Sequence, residues 1–440
     1  MRALLVVTFF AILFTLRAPA EEKPTLPNVL MIVTDDQGWN DVGYRNPKVM
    51  TPNIDKLAKT GLRLENYYVF STCSPTRAAL LTGRNPSRFG ILNPIAGKSK
   101  QALPDGTLTL AKLLNQKNYE TNLDGKWHLG LRPEVGPRAY GFDASYGYLH
   151  GQIDPIRHRY KLGDKTWHRN EKFLEEKGHV TDLITDEAVR VIKKPRKNPF
   201  FLYVAYHSPH TPFVEDQKWI DLYKDKFKQP SRQIYLASIT HLDAGIGKIL
   251  KALSDTKQRE NTLIIFTSDN GGQKSGKHAK HEYGGRYGPY PVLADNGKLR
   301  GWKGDVYEGG IHVPAVVNWP KKIQPGACRA TLCGIDWLPT LAAITGAKIP
   351  KNANLDGEDA WPLLRGTKET RKGHLFWHTR NAWAIREGDW KLVLRSPKQP
   401  KLELFHLKAD PFEKENLVKK HPKKADQLHK KLRREIQSKE

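Results

Sequence analysis

Five short runs rich in valine, isoleucine and phenylalanine, at residues 28–34, 119–123, 200–206, 262–267 and 313–319, punctuate the first three quarters of the chain. Their length and composition read as strands buried within a sheet. Helical periodicity fills the intervals, at residues 54–60, 108–114, 180–192 and 231–253. Strand alternating with helix specifies an α/β fold, a mixed and mostly parallel sheet between helices, in which sites gather past the carboxyl ends of strands. The polar residues fall there. Asp35 and Asp36 follow the first run, Lys126 and His128 the second, His207 and His210 the third, Asp269 and Asn270 the fourth.

Between the turn Leu355-Asp356-Gly357 and Gly373 the pattern changes. Alternating runs at 374–378, 382–386, 390–394 and 402–407, with turns at Gly388 and 397–400, precede a helical stretch at 421–437. They predict a small antiparallel sheet with one helix, and hence units at 21–368 and 369–440. Residues 1–20 read as a secretory signal peptide: Met1-Arg2, an apolar run at 3–16, then Ala18-Pro19-Ala20 before Glu21. The run is too short for a membrane anchor and no other segment could span a bilayer. The expectation is an exported protein, periplasmic or secreted after cleavage near Ala20, with no membrane partner.

The sequence holds three cysteines, Cys73, Cys328 and Cys333. An extended segment between the last two would point them to opposite faces, which favours two free buried thiols over a disulfide. The formal net charge of +26 favours polyanionic partners. Nucleic acid is excluded by the lack of any recognisable module and by export. Part of the excess sits at 419–424 and 430–434, where a solvated helix face is the plain reading and attraction to a sulfated polysaccharide the sharper one. A second basic group, Arg157, His158, Arg159, Lys161, Lys274, Lys277, Lys280 and Arg286, suggests a mouth that attracts a polyanion.

Asp35 and Asp36 would repel each other at a strand end unless a cation lay between them, which makes them good ligands for a hard metal. A loop pair capping a helix is the alternative. Asp269 and Asn270 repeat the logic, with Gly271 and Gly272 behind them to allow close backbone approach. Oxygen ligands in this number suit calcium first and magnesium second. Lys126 and His128 would share one side of an extended segment. A lone histidine is ordinarily a satisfied core residue, a lone cysteine a small buried one, and a lysine such as Lys303 a surface charge; their spacing and context argue otherwise here.

The run Cys73-Ser74-Pro75-Thr76-Arg77, continuing to Gly83, resembles the modification site of the type I sulfatases. Also similar to that family are the segment 28–39, Gly125-Lys126-Trp127-His128-Leu129-Gly130, the stretches 205–212, 264–272 and 299–310, and the carboxyl-terminal 404–417. The likeness is nearest to arylsulfatases and N-acetylgalactosamine sulfatases and spans essentially the whole mature chain. It implies an alkaline-phosphatase-like fold and a calcium ion held by Asp35, Asp36, Asp269, Asn270 and residue 73. Cys73 would be converted by a formylglycine-generating or other sulfatase-maturing enzyme to formylglycine, whose hydrate attacks a sulfate monoester. By the same resemblance Lys126 holds a sulfate oxygen and His128 takes a proton from the hydrate. His210 contacts substrate, Lys303 sits on the bridging oxygen, and Arg77 pairs with residue 73 and the metal carboxylates. His207 is left as structure.

Two stretches depart from the relatives, Asp154-Pro155-Ile156 and the long, basic 273–296, so the substrate does not carry over. The leading expectation is a sulfatase acting on a sulfated carbohydrate of galactose or N-acetylgalactosamine type, 4-O-sulfate before 6-O-sulfate. The alternatives are a phosphonate monoester or phosphodiester hydrolase of the same superfamily, and a non-catalytic sulfated-glycan binding protein.

Overall fold

The computed structural model describes residues 26–276, 282–395 and 400–437. The leader at 1–20, Lys277, Lys280 and most of the 397–400 turn lie outside them. Among the described residues no helix is long and apolar enough to cross a membrane.

A ten-stranded sheet forms the body. Asn28–Thr34 lies at its centre, parallel to Thr262–Ser268 on one side and to Phe200–Ala205 on the other. Phe200–Ala205 continues in parallel to Glu120–Lys126 and then Ala144–Tyr148. The central strand is buried at every position, and its alternation feeds two cores. Val29, Met31 and Val33 point to one face, packed with Leu80, Leu81, Leu113 and Leu341. Leu30 and Ile32 point to the other, packed with Leu57, Ile184, Ile246 and Leu253. The helices Cys73–Thr82, Leu110–Asn115 and Trp337–Thr345 cover the first face; Pro52–Thr60, Val180–Lys193 and Pro230–Asp255 cover the second.

Three differences from the sequence reading have physical causes. The run at 313–319 is the shorter strand Ala315–Asn318, antiparallel to both neighbours, so its apolar character reflects burial and carries no information on direction. Leu62–Tyr68 is a strand although Arg63, Glu65 and Asn66 give it a polar face. Gly326–Cys333 pairs with it in parallel through a bulge between Cys328 and Thr331. Cys328 and Cys333 are free and join different cores, as opposite faces require.

Leu375–His378, Ala382–Glu387, Trp390–Arg395 and Lys401–His406 form the expected antiparallel sheet. The helix Pro422–Gln437 covers one of its faces through Leu428 and Leu432. The other face packs on Tyr68, Phe70, Val306, Tyr307 and Ile311, so this sheet supports the 299–310 segment from behind. On the basic helix, Lys424 and Lys431 pair with Glu387 and Lys430 with Asp426, in keeping with a solvated, partly neutralised face.

Candidate active site

The carboxyl ends of three parallel strands and the head of one helix meet at a single point. Asp35 and Asp36 leave the central strand, Asp269 and Asn270 leave Thr262–Ser268, and Lys126 ends its own strand. Cys73 is the first residue of the helix Cys73–Thr82, which stops at Gly83 in the left-handed region. Gly271 is there for room, since a Cβ at that position would lie 1.9 Å from the Gly309 carbonyl oxygen.

The adjacent carboxylates are each met by a different lysine. Lys126 Nζ lies 2.6 Å from Asp35 Oδ2, and Lys303 Nζ lies 2.7 Å from Asp36 Oδ2. Arg77 is wholly buried, donating from Nε and Nη2 to Asp269 Oδ2 at 3.1 and 2.7 Å and from Nη1 to the Lys126 carbonyl. Its Nη2 stands 4.0 Å from Asp35. Asn270 Nδ2 donates to Asp36 Oδ1 at 2.7 Å. Burial would raise the Asp36 carboxyl, but Lys303 and His210 outweigh it and hold it below the usual range. Asp35 is raised by burial against the pull of Lys126. Asp269 is pushed up to about 6 by burial and by Asp35 beside it. Three carboxylates and three cations balance formally here, so the case for a metal ion rests on the oxygens left without partners.

The donor set fits one. Asp35 Oδ1 and Asn270 Oδ1 are buried oxygens with no hydrogen-bond partner, an arrangement that is costly unless something else satisfies them. Together with Asp36 and Asp269 they offer hard oxygen ligands of the kind calcium or magnesium takes. Ligand atoms of Asp35, Asp36 and His210 all lie within 4.8 Å of one another.

Cys73, His128, His210 and Lys303 line one cavity of about 180 Å³. Burial pushes the Cys73 thiol up, while Lys126 and Lys303 pull it down. His128 is held well below its ordinary value by burial and by the Lys126 and Arg77 cations, so its ring is neutral. Its Nε2 lies 2.8 Å from the Ile95 carbonyl, which places the proton there and leaves Nδ1, buried and without a partner, as the basic atom. The strand ends at Lys126 and His128 has a left-handed backbone, φ 57°, so a turn and not strand alternation brings the two side chains together. His210 is lowered to about 3 by burial and Lys303; its Nε2 stands 3.7 Å from Asp36 Oδ2. His207 lies beneath, buried, with Nε2 3.2 Å from the Pro212 carbonyl.

Sequence reasoning missed several residues of this cavity: Ile95, Gly151, Gln152, Tyr160 and Glu282 also line it, together with Lys161 of the expected basic group. Gly151 sets the position of His128, because a Cβ there would lie 2.4 Å from the imidazole Cε1. Nor is the expected basic mouth uniformly basic. His158 is buried and stacked on Trp167 at 4.9 Å. Arg159 pairs with Glu175, Lys161 with Glu282 at 2.6 Å, and Arg286 with Asp154 at 3.2 Å. Asp154 also accepts from the Tyr287 hydroxyl, so the first divergent turn is tied to the second divergent stretch.

Two family models match. One described as sulfatase covers residues 27–347, and one described as N-sulphoglucosamine sulphohydrolase, C-terminal, covers 301–440. Arylsulfatase A of Homo sapiens is 34% identical over 402 residues, spanning 83% of this chain and 74% of that protein. N-acetylgalactosamine-6-sulfatase of Homo sapiens is 31% identical over 412 residues, spanning 84% and 75%. Among solved structures, Ps i-CgsB in complex with k-i-k-neocarrahexaose superimposes with a TM-score of 0.84 at 32% identity, covering 93% of this chain and 92% of that one. With strand-end carboxylates, a buried cysteine and paired lysines around one cavity, the chain belongs to the sulfatase family and is a sulfuric ester hydrolase.

Proposed function

We propose that the protein removes sulfate from a sulfated carbohydrate of galactose or N-acetylgalactosamine type, using an aldehyde hydrate made from Cys73 and a calcium ion. The observation that carries this reading is the convergence of Cys73, His128, His210 and Lys303 on one cavity, beside the unpartnered oxygens of Asp35 and Asn270. The sugar class draws support from the N-acetylgalactosamine-6-sulfatase relatives and from the neocarrahexaose complex of the structural neighbour.

Asp35, Asp36, Asp269, Asn270 and residue 73 would hold the cation, and Arg77 would keep Asp269 oriented toward it. Bound there, calcium would supply positive charge to offset the carboxylates and the anionic ester, and formylglycine would supply a nucleophilic hydroxyl. The chain's own groups do the rest. Lys126 presents a buried ammonium group to a sulfate oxygen, and Lys303 presents one to the bridging oxygen as charge moves onto it. His128, neutral with Nδ1 free, accepts a proton from residue 73. His210, held beside Asp36, orients the ester. The same reading assigns 21–368 to catalysis and 369–440 to its support, with export, cleavage near Ala20, and Cys73 modified by a sulfatase-maturing enzyme.

The test has two parts. Intact mass of the mature protein should be lower than the sequence mass by about 18 Da, the difference between thiol and aldehyde. A panel of defined sulfated oligosaccharides should release sulfate faster than a nitrophenyl sulfate. An unmodified mass with full activity removes the nucleophile assignment; turnover of the aryl ester alone removes the carbohydrate.

A further inference from the structure

Among the described residues that line the catalytic cavity, Glu282 is the one carboxylate. In a cavity that receives an anion, a negative side chain costs affinity for that anion unless it does something in return. Its partner is Lys161, whose Nζ lies 2.6 Å from Glu282 Oε1 and which lines the same cavity. Glu282 belongs to the divergent 273–296 stretch, and Lys161 to the hairpin of Arg159–Tyr160 and Asp164–Lys165.

A tie between two loops is not reason enough for the pair. The Lys161 side chain is 34% exposed and that of Glu282 17%, and ion pairs in contact with water stabilise a fold only slightly. The 273–296 stretch is also joined to the Asp154 turn already, through Arg286 at 3.2 Å and the Tyr287 hydroxyl at 2.9 Å, and Tyr283 beside Glu282 is wholly buried. These contacts brace the backbone that carries Glu282. Lys161 is braced as well: its Nζ lies 5.4 Å from the centre of the Tyr160 ring, which stacks on His150 at 4.3 Å. Its backbone is left-handed, φ 46°, a conformation that a lysine seldom takes. Acceptor and donor are thus held at fixed places in the cavity, beyond the groups that react.

We propose that Glu282 and Lys161 are specificity-determining residues that select a sugar ring bearing one sulfate and reject a ring bearing two. A sugar hydroxyl can donate to a carboxylate and accept from an ammonium, so it fits beside the pair without breaking it. A sulfate ester only accepts. A second one would face the charge of Glu282 or have to draw Lys161 away from it, and in either case a like-charged contact is left. The identity of the ring rests on the carbohydrate reading above.

The experiment measures kcat/KM and melting temperature for the mature, modified protein, with N-acetylgalactosamine disaccharides carrying a 4-sulfate, a 6-sulfate or both on one ring. The wild type should prefer the better monosulfated sugar to the disulfated one by about tenfold or more. Glu282→Gln keeps the shape and removes the charge. It should raise kcat/KM on the disulfated sugar by about tenfold, because Lys161 is released to meet the second sulfate. Adding Lys161→Gln should abolish that gain. A pair that only ties loops together predicts something else, an equal loss on all three sugars with a lower melting temperature. That result, or a wild type that cleaves the disulfated sugar as well as the monosulfated ones, overturns the proposal. Failure of the carbohydrate reading looks different: the wild type would turn over a nitrophenyl sulfate and none of the three sugars, which would overturn this selection with it.

Discussion

Lys303 Nζ lies 2.7 Å from Asp36 Oδ2 across 267 residues of sequence. With Lys126 on Asp35, this pairing explains how two adjacent carboxylates can end one buried strand. Each has its own cation, drawn from a different part of the chain. For Lys303, burial favours the neutral amine, but Asp36 and Cys73 reverse the balance and raise it above the ordinary range. Lys303 is thereby placed, charged and poorly hydrated, on the cavity where an anionic ester would enter.

Cys73→Ala should lower kcat on any sulfate ester by about 10³-fold or more, because it removes the nucleophile. The side chain is small and its neighbours include charged groups, so the melting temperature should change little, equivalent to about 1 kcal/mol. Paired rate and thermal-unfolding measurements check this. Retained turnover by the alanine variant would sink the assignment.

Chelation should lower the melting temperature, and calcium should restore it, because a ligand that binds the folded state alone stabilises it by mass action. Asp269→Ala should cost more, on the order of 3–5 kcal/mol, since it also strips the wholly buried Arg77 of its ion pair. Scanning calorimetry with and without chelator tests both. Melting that ignores exhaustive chelation would rule the cation out.

Lys391 links the carboxyl-terminal sheet to the loop that carries Lys303. Its Nζ is fully buried, 2.9 Å from Glu308 and 2.8 Å from Glu413. Glu413 in turn accepts from the Glu308 backbone N–H at 2.8 Å. Lys391→Met should destabilise by about 3–5 kcal/mol by leaving two buried carboxylates without their cation. Adding Glu413→Gln should recover part of the loss. Additive losses in the double variant would show that the groups do not act as a unit.

The legible parts of this structure were those that local pattern controls. Residues 29–33 form an unbroken apolar run that suits little else, and the four carboxyl-terminal strands are short apolar runs set off by polar ends and turns. Leu62–Tyr68 was not legible, because an internal strand carrying Arg63 and Glu65 looks polar until Arg45 and their mutual ion pair are seen. In the site, Asp35, Asp36, Asp269 and Asn270 announced themselves by following strands. Gly151, Tyr160 and Glu282 did not, since what they do depends on ring and loop contacts made across distant sequence. His158 misled because a basic neighbourhood in sequence says nothing of stacking on Trp167.

His241 should give the protein a pH-dependent stability unrelated to catalysis. Burial alone would lower its pKa, but hydrogen bonds to Asp182 and Glu215 raise it to about 9, with Trp219 and His179 packed on the ring and Lys248 on Asp182. A folded pKa above the unfolded value means stabilisation that is complete below about pH 6.5 and lost as the pH rises through about 9. His241→Gln should therefore cost on the order of 2 kcal/mol at pH 6 and much less at pH 10. A constant difference in melting temperature across that window would remove the imidazolium from the account.

Gly151→Ala isolates the placement of His128 from its identity. The backbone at Gly151 is not in the left-handed region, so alanine costs nothing conformationally, yet its Cβ would fall 2.4 Å from His128 Cε1 and 2.5 Å from Nε2. The ring must move, giving up the bond from Nε2 to the Ile95 carbonyl that fixes its tautomer. Because a misplaced proton acceptor slows chemistry far more than binding, kcat should fall by about 10²-fold with KM nearly unchanged. If His128 were only a packing residue, the same substitution would lower the melting temperature and spare kcat. Measuring both on one preparation separates the two, and an unaltered kcat in a destabilised protein would return His128 to the core.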